Sequence, residues 1–286
     1  MIEFAHIAPT KFLNFTATNG AHLILAHLVE VDEQYTKFYA NITSKYKIMD
    51  NSAFEMFKQN KPMYESSKLI EMAKRCKADC IVLTDYPRED WTKTVQKAVD
   101  TCEEIVDAGF DTFFVPQSSV GDVKGYIEGI RWALNNKNIH RIGLSILGCP
   151  IALGVDERRE KQQRSDSYKL QRYLSRFKIF SMLEKAKLLD TNAIKRFHCL
   201  GMTDGPNEID LLGEYHKYIR SWDSSAAIWA GLNGITFDNS PTGLVDGKFE
   251  KEVDFEFDLP NDTHSEIIPM VTKNISYIDS LIKESK

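Results

Sequence analysis

Short runs of apolar and β-branched residues alternate along the chain with stretches in which apolar positions recur every three or four residues, the pattern of strands joined by helices. The strand-like runs are HLILAHLV at 22–29, YKIMDN at 46–51, CIVLTDY at 80–86, TFFVPQ at 112–117, RIGLSIL at 141–147, RFHCLGM at 196–202, IRSWDSS at 219–225 and NGITFD at 233–238. Between them Leu69, Met72, Ala73 and Cys76 share one helical face, as do Val95, Ala98, Val99, Cys102, Ile105 and Val106. Asp90 is placed to cap the second of these helices and Gly109 to end it. Strands separated by helices pair in parallel through crossovers. Eight such units in 286 residues predict an α/β fold, a (β/α)8 TIM barrel.

The later part is less regular. A charged stretch at 156–178, with eight Lys or Arg against four Asp or Glu, reads as an insertion after the fifth strand. In KEVDFEFDL at 251–259, apolar and acidic residues alternate as in a strand beside the barrel. NISYIDSLIKESK reads as a closing helix. No repeat, low-complexity tract or linker divides the chain, so residues 1–286 are expected to form one domain.

Composition narrows the class. With 43% hydrophobic and 27% charged residues the chain can bury a sizeable core. The N-terminus lacks a basic region followed by an apolar signal stretch, and no run reaches the length of a bilayer span. A cytoplasmic, non-membrane protein is expected. The formal net charge of −5 means that any nucleic-acid contact must come from a local patch. Cys76, Cys80, Cys102, Cys149 and Cys199 have no metal-site spacing and read as core thiols. His22, His27 and His198 read as structural histidines, the first two on opposite faces of the first predicted strand. Gly-Leu-Asn-Gly at 231–234 and Gly243 are turn signals with no P-loop lysine, and no nucleotide cofactor is implied.

The chemistry gathers at the predicted strand ends. Asp50, Asp85, Gln117, Gly143, Gly201 and Asp223 all stand there. In a barrel of this kind those ends form one mouth, which is the functional face. Taken singly, each Asp is a helix cap or a loop hydrogen-bonding group. Three carboxylates on one mouth point instead to glycosidic chemistry.

The same residues carry a resemblance. The ordered motifs DNSAFE, VLTDYP, FVPQSS, IGLSI, HCLGM and SWDSS, spread over residues 22 to 240, resemble the queuine/archaeosine tRNA-guanine transglycosylase superfamily, which exchanges guanine for 7-deazaguanine bases in nucleic acid. The chain is most similar to the short phage DpdA-type members that act on DNA. The resemblance implies that Asp223 is the nucleophile that forms a covalent glycosyl-enzyme intermediate, while Asp50 handles the proton of the departing and incoming bases. It implies that Asp85 and Gln117 read the base, that Phe54 lies against it, that Gly143 lets backbone approach it, and that Leu200 beside Gly201 forms an apolar surface on its other side. A carboxylate suits guanine, which presents two donors side by side.

The tRNA-modifying branch carries a Cys-X-Cys-X2-Cys zinc motif with a distant His. This chain lacks it, and has Asn51-Ser52-Ala53 where that branch has Ser-Gly-Gly. The expectation is therefore a barrel with no zinc subdomain, no metal and no cofactor, acting on DNA with a 7-deazaguanine base as co-substrate. Arg158, Arg159, Arg164 and Arg172 are the candidate phosphate contacts. The alternatives are a tRNA-guanine transglycosylase, a barrel glycoside hydrolase or lyase using the same carboxylates, and a catalytically silent nucleic-acid-binding barrel. Whether the protein forms a homodimer or needs a second subunit is left open by the sequence.

Overall fold

The computed structural model describes residues 2–17, 19–155, 166–202, 205–244 and 264–284. Its eight strands are β1 (Glu3–His6), β2 (Ala21–Leu25), β3 (Tyr46–Asp50), β4 (Cys80–Val82), β5 (Asp111–Phe114), β6 (Arg141–Ser145), β7 (Phe197–Leu200) and β8 (Ile219–Ser224). They form one all-parallel sheet in the order β1-β8-β7-β6-β5-β4-β3-β2. Its two end strands meet: the Gly20 N–H donates to the Phe4 carbonyl at 3.2 Å, and Asn19 Nδ2 donates to the His6 carbonyl at 2.9 Å. The result is a nearly closed (β/α)8 barrel. All strands run the same way, so their C-terminal ends share one mouth.

The helices are α1 (Ala26–Val31), α2 (Glu33–Asn41), α3 (Ala53–Lys58), α4 (Ser66–Cys76), α5 (Trp91–Asp107), α6 (Val123–Asn135), α7 (Gly148–Ala152), α8 (Asp166–Tyr173), α9 (Ser175–Lys185), α10 (Glu208–Leu211), α11 (Ala226–Leu232) and α12 (His264–Glu284). The predicted apolar face of α4 is fully buried at Leu69, Met72, Ala73 and Cys76. In α5 the Asp90 side chain accepts from the Thr92 N–H. Gly109, at φ +90°, closes that helix: its N–H reaches the Val106 carbonyl and the Phe110 N–H reaches that of Ile105. In α5, however, Val99 is 49% exposed and lies outside the core. All five cysteines are free and buried. Among the described residues no helix is long and apolar enough to cross a membrane.

Three local expectations are corrected. The sequence reading missed β1, because EFAH is too short to show a period. The sequence still shows eight strand-like runs, because NGITFD reads as the last of them. It is instead the exit of α11: Gly234, at φ +74°, donates to the Gly231 carbonyl and Ile235 to that of Ala230. The backbone that follows is held by side chains of α12: Asn274 accepts from the Phe237 N–H and donates to the carbonyls of Ile235 and Ala227, and the Tyr277 hydroxyl donates to that of Asp238. Those bonds replace a ladder. Finally, HLILAHLV is strand only to Leu25, so His22 lies on β2 whereas His27 belongs to α1.

The run RIGLSIL is thus the sixth strand of the barrel, and α7, α8 and α9 lie between it and β7. Residues 156–165 of the charged stretch, with Arg158, Arg159 and Arg164, fall outside the described residues, as does the run at 251–259.

Candidate active site

Of the predicted strand-end residues, Asp50, Asp85, Gln117, Gly201 and Asp223 fall on or beside the barrel mouth, whereas Gly143 lies mid-strand in β6, in register with His198. Asp50 ends β3, Asp223 lies near the end of β8, and Leu200 ends β7. Asp85 and Gln117 sit on the loops after β4 and β5, both 3% exposed. Asp223 is laterally paired with Leu200 of β7 and Ala5 of β1.

The segment after β3 is pinned residue by residue. The Ser52 N–H donates to Asp50 Oδ2 at 2.9 Å. Asn51 Nδ2 donates to Asp85 Oδ1 and to the Leu83 carbonyl, both at 2.6 Å, while its Oδ1 accepts from the Ala53 N–H. Ser52 is fully buried in the left-handed region at φ +54°, a conformation that costs a non-glycine residue energy. Its Oγ lies 2.9 Å from His27 Nδ1 and accepts the His27 backbone N–H at 3.2 Å. Burial, then the charge of Lys61, lowers the His27 pKa to about 4, so its imidazole is neutral near pH 7.

Asp85 is held from two sides, because Gln117 Nε2 donates to its Oδ2 at 2.6 Å. Burial pushes the Asp85 carboxyl up to about 6 against the pull of these two amides. Among the described residues, the buried Gln117 Oε1 has no hydrogen-bond partner.

Asp50 is displaced further. Burial raises its pKa well above the usual carboxylate range, and the charges of Glu55, Asp223 and Asp85 raise it more. Glu55, in the first turn of α3, is itself raised by burial and by Asp223. It completes a group of four acids, and the sequence reading passed over it. The available signal was the acid inside DNSAFE, on the turn that follows the strand-end Asp50.

Asp223 is anchored from below: His198 Nε2 lies 2.7 Å from its Oδ1, with both side chains buried. His198 Nδ1 lies 2.7 Å from Ser221 Oγ, and Ser221 Oγ accepts from Arg141 Nη1 at 2.5 Å. The sequence reading took His198 for a structural group, and did not connect it with Asp223. The spacing of Ser221 and Asp223, two apart on one strand, was the missed sign that both face inward. A register shift brings them beside the ring: Phe197 pairs with Ile219 whereas His198 pairs with Ser221.

The remaining candidates divide. Phe54 is 47% exposed, so core packing does not account for it. At Gly143 packing does account for the glycine, since a Cβ there would lie 2.6 Å from Phe113 Cε2 and 2.7 Å from Leu200 Cδ1. Gly201 is left-handed at φ +74°, and its carbonyl accepts from Trp222 Nε1 at 3.1 Å and Arg176 Nη2 at 2.8 Å. Arg176, counted in the basic stretch, is in fact 1% exposed and doubly bonded to Glu208 at 2.6 Å on each oxygen. It also donates to the carbonyls of Leu144 and Leu200, and its guanidinium lies 4.8 Å from the Trp222 ring. Its charge therefore supports the rim of the mouth from inside. Of the four candidate phosphate contacts only Arg172 is described; it is half-buried on α8 with its guanidinium 5.8 Å from the Tyr168 ring.

Neither a scan of protein-family models nor a search of curated proteins gives a match to this chain.

Proposed function

We propose that this barrel is a DNA-guanine transglycosylase that exchanges guanine for a 7-deazaguanine base through a covalent aspartyl-glycosyl intermediate. The observation that carries the reading is the division of labour among three aspartates at one mouth. Asp50 is pushed toward its protonated form, Asp85 is flanked by two amides, and Asp223 is held by His198 through one oxygen. Carboxyl groups whose surroundings separate their protonation states are the usual mark of an acid working beside a nucleophile.

In this scheme Asp223 Oδ2 attacks the anomeric carbon. The bond from that carbon to the guanine nitrogen breaks, its electron pair stays with the base, and Asp50 supplies the proton. The incoming base then returns a proton to Asp50 and displaces the aspartyl ester, whose electron pair goes back to Asp223. Asp85 accepts the ring N–H and amino group of the base, each oxygen keeping a lone pair beyond the one used by Asn51 or Gln117. Phe54 lies against the base. To reach the bond, the target nucleotide must leave the stack or be single-stranded. DNA is favoured over tRNA by the resemblance to the phage branch and by the missing zinc motif.

Labelled guanine incubated with the protein and DNA, tRNA or no polymer tests this. Label in DNA is expected. Label in tRNA alone would keep the chemistry and overturn the polymer, and no label in either, with sugar hydrolysis instead, would replace the reading by a glycoside hydrolase.

A further inference from the structure

We infer that Arg141, Ser221 and His198 form a relay through the barrel interior that fixes one imidazole tautomer and so dictates which oxygen of Asp223 reacts; this rests on the transglycosylase reading for its catalytic meaning. The relay runs from the start of β6 up to the mouth. Arg141, 1% exposed, can only donate, so its 2.5 Å contact uses a lone pair of Ser221 Oγ. The Ser221 hydroxyl proton is then directed to His198 Nδ1 at 2.7 Å. With Nδ1 accepting, the single proton of the neutral ring stands on Nε2 and is donated to Asp223 Oδ1.

The surroundings keep the ring in that state. Burial lowers the His198 pKa, and the charges of Arg141 and Arg176 add to this, against the hydrogen bond and charge of Asp223. The ring is held in place by Phe113, edge-on with centroids 5.1 Å apart, and Phe113 occupies the space that Gly143 leaves free. The register shift in β7 and β8 sets Ser221 beside His198 and leaves Asp223 one layer above. The imidazole therefore bridges two layers of the barrel core.

Three consequences follow for the reaction. Oδ1 is occupied, so Oδ2 is the attacking atom. A neutral donor orients the carboxylate without the full charge pairing that a cation would impose. In the second displacement the ester carbonyl is Oδ1, and the His198 N–H stabilises the negative charge that returns to it as the bond to the anomeric carbon breaks. His198 and Ser221 act through Asp223 and are positioning residues.

The test has one arm independent of turnover. Nitrogen NMR of the uniformly labelled protein should show His198 as a neutral ring protonated on Nε2, and Ser221→Ala should remove that preference. A ring protonated on Nδ1, or on both nitrogens near pH 7, overturns the relay. In the second arm, His198→Phe should slow exchange about 100-fold with the KM for the base unchanged, the cost of losing one charge-stabilising donor. His198→Gln, whose amide can still donate to Asp223, should recover most of that rate. Wild-type exchange by the folded His198→Phe protein overturns the role while leaving the transglycosylase reading intact. A wild-type protein that exchanges no base overturns that reading, and the nitrogen shifts still decide the relay.

Discussion

Asn51 Nδ2 lies 2.6 Å from Asp85 Oδ1, so a residue just past β3 fixes a carboxylate carried by the loop after β4. With Gln117 on the other oxygen, Asp85 is held from both sides in the free protein. Such preorganisation matters because base contacts set specificity while phosphate contacts set position.

Asp85→Ala should lose discrimination among bases and most activity while DNA binding stays near wild type. The wild-type pH profile should show the same residue. Its carboxyl is pushed up to about 6, so as pH falls through that value it gains a proton and loses an acceptor. Exchange measured as kcat/KM should then fall by about tenfold per pH unit below 6. Equal loss of DNA binding in the variant would make Asp85 structural.

Asp223→Asn should keep the fold and lose the denaturant-resistant adduct with guanine-containing DNA, because an amide cannot take the place of the attacking carboxylate. Mass spectrometry of the denatured complex reads this directly. Exchange at the wild-type rate would remove Asp223 from the chemistry.

Asp50→Asn should abolish exchange and raise the melting temperature at neutral pH. The Asp50 pKa is raised in the folded protein, so its stability contribution is complete below the unfolded value and is lost as pH rises through the folded one. An asparagine carries no such loss and can still accept from the Ser52 N–H. The two proteins should converge in stability in acid. A variant less stable than wild type at neutral pH would contradict the electrostatic account.

Arg176→Ala should destabilise the protein by about 3–5 kcal/mol in denaturant titration, since the buried Glu208 would lose the charge that pairs with both of its oxygens. Arg176→Met with Glu208→Leu should recover only part of this, because the carbonyls of Leu144, Leu200 and Gly201 each lose the arginine as a donor. Full recovery would mean that those carbonyls have no stake in the arginine.

Neutralising Arg158, Arg159, Arg164 and Arg172 together should weaken DNA binding and flatten its dependence on salt, because fewer counterions are released. An unchanged salt slope would place the phosphate contacts elsewhere. Binding of the free base should be affected less than exchange in the polymer.

The sequence declared the barrel and placed Asp50, Asp85, Gln117, Gly201 and Asp223 at or beside its mouth, but neither Glu55 among them nor how they touch. Apolar period gave α4 and α5 with their ends, because caps and left-handed glycines are local features. It failed at β1, where four residues are too few to show alternation, and at 233–238, where Asn274 supplies the bonds from a distant helix. The pairing of His198 with Asp223 depends on a register shift that no single strand displays. Arg176 was legible in principle: with Ile179, Phe180 and Leu183 it occupies the buried face of α9, and an arginine at an apolar position needs an acid. Counting charge along the chain hid that.

The junction of β1 and β2 divides the mouth in an uneven way. Going round the barrel from Asp223, one crosses β8, β1, β2 and β3 to reach Asp50, so these two carboxylates stand on either side of the place where the ring closes. No ladder joins β1 to β2 among the described residues; the Gly20 to Phe4 bond and the Asn19 side chain span the gap. The distance between Asp223 and Asp50 is therefore set across the joint of the cylinder that lacks a ladder among the described residues. Breathing there would widen or narrow the gap between the two carboxylates while the side that carries Asp85 and Gln117, built on β4 and β5 with a continuous ladder, stays still. Amide exchange should be fastest along this joint and should slow when a nucleotide is trapped on Asp223.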